Sequence, residues 1–487
     1  MKRPVFQDPT GKRWKIIKIV FFIAFFICVI FFSLFLVSIV NFLTIRSISF
    51  VASFIVEYGM LISVINTIGN SIFSILEITL KSYLIFALVI SILRMTMLII
   101  FSYKQWKRQQ KSRQEKIIPW TISRQQKFRN NRYWPTISVV IPVYNEEVVI
   151  KKTVSAVLYS RYPITEVIVV DDGSTDQSAA IIEKAFPRNP RVKVIRKKNG
   201  GKASALNEGF REALGDIIIT IDADTIFTEQ TIYYLIDHFK NPEVAAVSGN
   251  CKVGNIRNQI TLWQHIEYVT AFNIERRAYD YLNCMTVVPG SNSAWRRKVV
   301  QEIGYYDHDT LAEDTDLTLK IVEKNYKIVC DDLAISYEES PETLKDFLKQ
   351  RYRWSYGILQ SLWKHRKTII KSKNKTLKYF AIPSLLFSYL LYLTVPLIDI
   401  IFVASILTGS KTIFLFAIFF YLSDALASIY AFKLEKERMK PLVWVIIQRL
   451  AYRYLIAFVT WKAIIMALKG YSVGWNKFKR TGNNSFK

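Results

Sequence analysis

Two carboxylates two residues apart, Asp222 and Asp224, close a run that carries no charge, Ile217-Ile-Ile-Thr-Ile. Such a run reads as a buried strand. In open α/β sheets, ligands gather beyond the carboxyl ends of strands. An Asp-x-Asp pair in that position can offer oxygen ligands to a hard divalent cation and leave places for water and phosphate. The plain alternative is an Asx-type turn ending a strand. The choice between them depends on what else the chain carries.

Four further groups bear on it. Val169-Val170-Asp171-Asp172-Gly173 is again a strand ending in carboxylates, and Asp172 can accept from a base or ribose or help cap a helix. Gly200-Gly201-Lys202 joins a flexible backbone to one cation, which suits a diphosphate or a plain loop. It lacks the spacing of a phosphate-binding P-loop. Glu313-Asp314, before a helical stretch, can supply a general base or simply favour a helix N-terminus. Gln350-Arg-Tyr-Arg353-Trp354 sets a guanidinium fork beside a flat aromatic face, fit for phosphate and a sugar ring or for interfacial anchoring.

The elements that must position these residues follow from composition. Hydrophobic residues make up 51% of the 487 and aromatics 14%, yet 66 Lys and Arg against 39 Asp and Glu leave a charge of +27. That pairing implies a membrane protein with a basic cytoplasmic side. A nucleic-acid binder would share the charge but not the long apolar runs. Cys28, Cys251, Cys284 and Cys330 have no metal-like or redox spacing and read as reduced, packed thiols, and the four histidines form no ligand pattern.

Ile19 to Leu43 is uncharged and long enough to cross a bilayer, and no small-residue cleavage site follows it. A second apolar run, Tyr83 to Phe101, is interrupted only by Arg94, which is expected to snorkel or to face a polar path. Basic flanks outside the pair fit a hairpin over 1–101 with both ends in the cytoplasm, followed by a basic linker over 102–133. From 134 to 340, short strands (Ile137–Val143, Glu166–Asp171, Val192–Ile195, Ile217–Ile221, Ala245–Ser248) alternate with amphipathic stretches. That alternation predicts an α/β domain with a mostly parallel sheet. Ser174, three residues before Gln177, reads as a capping box. Residues 341–375 mix aromatics with Arg and Lys and suit amphipathic helices at a membrane surface. Apolar runs return over 376–470, where Pro383 and Pro396 leave open one kinked span, an interfacial helix plus a span, or a hairpin. Arg449, Arg453 and Lys462 are unusual for a lipid-facing helix, and a basic tail occupies 471–487. An even number of crossings in this region, or one run at the interface, would keep the tail inside.

Taken together and in this order, Ile141-Pro142-Val-Tyr144-Asn145-Glu146 and the groups above closely resemble the processive, membrane-embedded family 2 glycosyltransferases: the cellulose, chitin, hyaluronan and poly-N-acetylglucosamine synthases. The resemblance runs from about Trp134 to Trp354. It implies a GT-A-type nucleotide-sugar-binding domain between transmembrane helices, in the plasma membrane, with the catalytic part in the cytoplasm. By position, Pro142, Tyr144, Glu146 and Asp172 would line a uridine pocket and Lys202 would approach the diphosphate. Asp222 and Asp224 would hold Mg²⁺ or Mn²⁺, with Asp224 the direct ligand. Asp314, beside Glu313, would be the base, and Arg353 would clamp the leaving group. Gln350 and Trp354, with Ser291 and Asn292 of an acceptor-side loop, would hold the growing polysaccharide. Trp475 and Arg480-Thr481-Gly482 loosely match a C-terminal gating segment. The implied partners are a UDP-sugar, the polysaccharide, membrane lipids and accessory export or regulatory subunits, and no nucleic acid. The short C-terminus favours a poly-N-acetylglucosamine or chitin-like product, while hyaluronan- or cellulose-type synthesis, transfer of one sugar to a lipid phosphate, and a non-catalytic scaffold or transporter are the rival readings.

Overall fold

The computed structural model describes residues 59–114, 135–407 and 411–470, with Phe6, Gly482 and Asn484. The expected first span over 19–43, most of the basic linker beyond 114, and Trp475, Arg480 and Thr481 lie outside the described residues.

Three strands with both faces buried start the sheet: β1 (Ile137–Val143), β2 (Glu166–Asp171) and, after the edge strand β3 (Val192–Arg196), β4 (Ile217–Thr220). Their continuous β-branched runs are what a strand covered by helices on both sides requires. Side-chain alternation divides the core. Val139, Ile141, Ile217 and Ile219 pack on one face with helices α2 (Ile150–Leu158), α3 (Ser178–Ala185) and α5 (Thr231–Asp237). Val140, Ile168 and Ile218 pack on the other with α4 (Lys202–Glu212) and the later helices. Four more strands complete the sheet: β5 (Thr225–Phe227), β6 (Val244–Val253), β7 (Ser293–Arg296) and β8 (Lys327–Glu338). The order is β3-β2-β1-β4-β7-β6-β8-β5. Four of the seven pairings are parallel, and β7 runs against both its neighbours.

The capping box expected at Ser174 is not formed. Helix α3 starts at Ser178, whose N–H donates to Asp176 Oδ1 (3.0 Å). The Ser174 hydroxyl instead accepts from the N–H of Asn145 (2.9 Å), while the Asn145 side chain accepts from the N–H of Thr175 (2.8 Å). Asn145 takes a left-handed conformation (φ 54°) to do this, one of the few that Asn adopts readily. The exits of β1 and β2 are thereby tied together.

Between β6 and β7 lie α6 (Gln259–Glu267), a π-helical turn (Tyr268–Phe272) and α7 (Asn273–Tyr281). Then α8 (Arg297–Ile303) and α9 (Glu313–Glu323) lead to β8. The remaining helices are α1 (Gly59–Gln114), α10 (Leu344–Lys371), α11 (Ile382–Leu407), α12 (Lys411–Leu434) and α13 (Val445–Lys469). Among the described residues, Ile85–Arg113, Leu377–Pro396 and Lys440–Lys469 are long and apolar enough to cross a membrane. Such helices equip the chain for membrane association. Helix α11 runs unbroken through Pro396, so its proline content marks neither a hairpin nor two separate segments.

Three arginines of these helices are held by polar partners. Arg94 donates to Ser384 Oγ (2.5 Å) and Glu275 Oε1 (2.8 Å). Arg449 pairs with Asp424 (2.5 Å), and Arg453 pairs with Asp399. An ionised side chain in an apolar layer is tolerated when a partner shares its charge. Helix α10 packs one side against protein and exposes Leu344, Trp363 and Ile370 on the other. Phe347, Gln350, Tyr356, Gln360 and Ser361 are buried against protein, and Arg351 pairs with Glu267.

One knot joins the sheet to the apolar helices. Arg277 on α7, 2% exposed, pairs with Glu435 just past α12 (2.5 Å) and with Asp332 on β8 (3.0 Å), and it donates to Gln105 on α1 (3.4 Å). Removing one partner of a buried pair leaves the other charge uncompensated. Arg277→Ala is expected to cost about 3–5 kcal/mol, read as a large fall in thermal midpoint of the detergent-purified protein, whereas Lys193→Ala, which breaks an exposed pair with Glu212, should cost under about 1 kcal/mol.

Candidate functional site

The carboxyl ends of β1, β2, β4, β6 and β8 all face one rim of the sheet, and a cavity opens there. Asp222 and Asp224 line it. The segment turns through the backbone rather than through an Asx side chain: the N–H of Thr225 donates to the Asp222 main-chain carbonyl (3.0 Å), and both aspartates line the cavity. Lys202 enters from the first turn of α4, which begins after Gly201 at φ 86°, a conformation that favours glycine. Its Nζ lies 2.6 Å from Asp222 Oδ1 and 3.4 Å from Glu313 Oε1. These two carboxylates hold the ammonium charged against its burial.

Glu313 and Asp314 occupy the first turn of α9, where the helix dipole favours acids, and both also line the cavity. Burial and the neighbouring Glu313 push the Asp314 carboxyl up to about 6, against the opposing pull of Lys202 and of hydrogen bonds from the backbone at Thr315 and Gly290. A carboxyl so placed is poised to take a proton near neutral pH. From α10 come Gln350, Arg353 and Trp354. Gln350 is 9% exposed, and its Oε1 is buried with no hydrogen-bond partner. Trp354 is held between Phe272 (ring centroids 6.2 Å apart) and the Arg351 guanidinium (4.3 Å from the ring centre). The two arginines of this element therefore divide their work: Arg351 braces the fold, and Arg353 lines the cavity.

Other expected site residues lie elsewhere. Pro142, Tyr144, Glu146 and Asp172 sit at the ends of β1 and β2, beside the cavity rather than lining it. The Asp172 carboxylate accepts from Lys197 Nζ (2.6 Å) and from the N–H groups of Gly200 (3.0 Å) and Gly201 (2.7 Å). It shapes the glycine loop that leads into Lys202. Ser291 lines the cavity, with its hydroxyl 3.2 Å from the Cys251 thiol. Asn292 does not; it is fully buried, and its amide donates to the Ala334 carbonyl (2.8 Å) and Ser336 Oγ (2.9 Å). That amide binds the loop before β7 to β8, while its Oδ1 is buried with no hydrogen-bond partner. The described Cys251, Cys284 and Cys330 are free and buried.

The sequence reading missed Glu338 and Glu339, at the end of β8, along with Tyr268, Phe272 and Arg276, all of which line the cavity. For the glutamates a signal existed, since they are again carboxylates closing a strand. Antiparallel pairing sets Glu338 opposite Thr225, next to Asp224. Burial raises its carboxyl, Asp222 and Asp224 raise it further, and a hydrogen bond from Tyr268 opposes them. Six carboxylates thus share the cavity with three basic side chains, Lys202, Arg276 and Arg353. An oxygen-rich, net acidic cavity fits a hard divalent cation, with Asp222 and Asp224 as donors.

The sheet and its acidic rim define a GT-A-type nucleotide-sugar domain. The sequence model of glycosyl transferase family 2 matches residues 138–304. A poly-beta-1,6-N-acetyl-D-glucosamine synthase of Staphylococcus epidermidis is 30% identical over 290 residues, covering 59% of this chain and 70% of that protein. The synthase of the same name from Staphylococcus aureus (strain COL) is 33% identical over 238 residues, 49% of this chain and 58% of the relative, so the chain spans little more than half that protein's length. A solved mannosyltransferase from Pyrobaculum calidifontis, in complex with GDP-Man and Mn2+, aligns over 80% of this chain and 97% of that one at 19% identity, with a TM-score of 0.49. The chain belongs to the family 2 glycosyltransferases.

The position of Asp314 predicts a pH dependence. A base is active when deprotonated, so turnover should rise with pH through about 6 and level off above it. Because Glu313 raises this carboxyl, Glu313→Gln should move the acid limb of the kcat/KM profile to lower pH.

Proposed function

We propose that this protein is an inverting, processive glycosyltransferase that builds a β-linked polysaccharide from a UDP-sugar, with UDP-N-acetylglucosamine the donor and a poly-N-acetylglucosamine-like chain the product. The observation that carries this reading is the gathering of Asp222, Asp224, Lys202, Asp314, Gln350, Arg353 and Trp354 around one cavity. The donor assignment rests on the names of the two staphylococcal relatives.

In this reading the acceptor hydroxyl, held at Gln350 and stacked on Trp354, gives its proton to Asp314 as its oxygen attacks the anomeric carbon. The bond from that carbon to the diphosphate breaks, and UDP leaves with the electron pair. Lys202 and Arg353 are the chain's own cations for the charge that develops on the diphosphate. Mg²⁺ or Mn²⁺ bound by Asp222 and Asp224 would neutralise part of the same charge. A single displacement inverts the anomeric centre and needs no covalent sugar–enzyme intermediate. The apolar helices support a multi-pass plasma-membrane protein with its catalytic domain in the cytoplasm, from which the product threads outward between the helices. Membrane lipids and accessory export or regulatory subunits complete the proposed partners.

The test is detergent-purified protein supplied with single UDP-sugars and Mg²⁺ or Mn²⁺, following UDP release and product length. UDP-N-acetylglucosamine should release UDP and yield long chains, and a chelator should stop both. Asp314→Asn should lower turnover by about 10²–10⁴-fold while UDP binding stays within a few-fold. No UDP release from any UDP-sugar would overturn the proposal, and a requirement for UDP-glucuronate or UDP-glucose would replace the assigned donor.

A further inference from the structure

The base and the acceptor-side residues stand on different helices, α9 and α10, separated in sequence by β8. In-line transfer needs them in fixed register. A misplacement of about 1 Å can cost about a hundredfold in rate. The two helices are fastened at three levels. Nearest the site, Gly357 lies so close to the loop before α9 that a Cβ there would stand 2.6 Å from the Ala312 nitrogen. About one turn further, the N–H of Leu311 donates to Gln360 Oε1 (2.9 Å). Beyond that is a charged lock around Asp316, a fully buried carboxylate two residues after Asp314.

Asp316 Oδ1 accepts from Lys364 Nζ (2.8 Å) and from His365 Nε2 (2.8 Å). The same ammonium reaches Asp307 and Asp309, each at 2.7 Å. Carboxylate oxygens of Asp307, Asp309 and Asp316 lie within 4.8 Å of one another, a grouping that resembles a cation site. The Lys364 ammonium already occupies its centre. His365 Nδ1 faces Glu323 Oε1 at 2.7 Å. An imidazole with a carboxylate at each nitrogen donates from both and carries the positive charge. Lys320 approaches Asp316 (3.7 Å) and Asp307 (2.9 Å) from α9 itself. Neither Lys364 nor His365 lines the cavity.

We propose that Lys364 and His365, acting through Asp316, are positioning residues that hold the Asp314 helix in register with the helix bearing Gln350, Arg353 and Trp354, so that a sugar hydroxyl rather than water meets the base. The inference rests on the glycosyl-transfer reading above. Its signature is the partition between two fates of the donor. With the register held, each UDP released corresponds to one sugar added to polymer. With the register loosened, water attacks the anomeric carbon, and UDP appears together with free sugar.

The experiment compares wild type, Lys364→Met, Lys364→Arg and His365→Gln in detergent with UDP-N-acetylglucosamine and Mn²⁺, measuring UDP, free sugar, polymer and UDP affinity. Lys364→Met should lower polymer formation by about tenfold or more, raise the share of free sugar several-fold, and leave UDP affinity within about twofold. His365→Gln should do the same more weakly, and Lys364→Arg should restore most of the wild-type partition. A loss of polymer and free sugar in equal proportion, in His365→Gln and Lys364→Arg as well as in Lys364→Met, would reduce the lock to plain structural support and overturn the inference. If wild type releases no UDP, the transferase reading fails and this inference falls with it. If wild type polymerises normally and the partition is unchanged in all three variants, only the inference falls.

Discussion

The site depends on one buried ammonium. Lys202 sits between Asp222, which follows β4, and Glu313, which opens α9, and so joins two segments that would otherwise repel each other. Like charges gathered in a poorly solvated space disfavour their own ionisation. Lys202 counters this at the point where the acids are densest. It also sets the proton affinity of Asp314 by opposing the combined effect of burial and Glu313. The cavity keeps an acidic excess even so. It is therefore organised to draw in positive charge, and under the proposed function a cation together with Lys202 and Arg353 would balance the donor diphosphate.

Around this centre, the fold places charged groups in pairs wherever water is scarce. Arg277 draws together α1, α7, β8 and the end of α12, and Arg351 ties α10 to α6 through Glu267. Arg94, Arg449 and Arg453 each meet an acid within or beside the apolar helices. The sheet domain is thus joined to the helical layer by ion pairs of fixed geometry rather than by apolar contact alone.

Much of the sheet and half of the site were legible in the sequence, for physical reasons. Strands such as Ile217–Thr220 and Glu166–Asp171 are buried on both faces and announce themselves as unbroken β-branched runs. Carboxylates at their ends mark the ligand rim. What escaped was whatever depends on partners distant in sequence. β8 contains Asp331 and Asp332, which look wrong for a strand until Arg113 is found bonded to both. Glu338 gains meaning only from its pairing opposite Thr225. Asp172 and Asn292 have residue types suited to ligand contact, but the Asp172 carboxylate also holds a glycine loop and the Asn292 amide N–H groups hold a neighbouring strand. Arg351 and Arg353 are interchangeable by type; packing alone sends one into the fold and the other to the cavity. Ser174 carried a helix-capping pattern, and the competing bond from Asn145 prevailed.

The reversed strand β7 has a separate consequence. Because it runs against β4 and β6, the loop that enters it, Pro289 to Asn292, reaches the same rim as the segments that leave its neighbours. An entering loop is not obliged to feed a crossover helix, so its length and composition are free of the geometry that constrains the departing segments. The rim is in this sense built on different terms on its two sides: substitutions in the entering loop need not disturb the carboxylates that close β4 and β8.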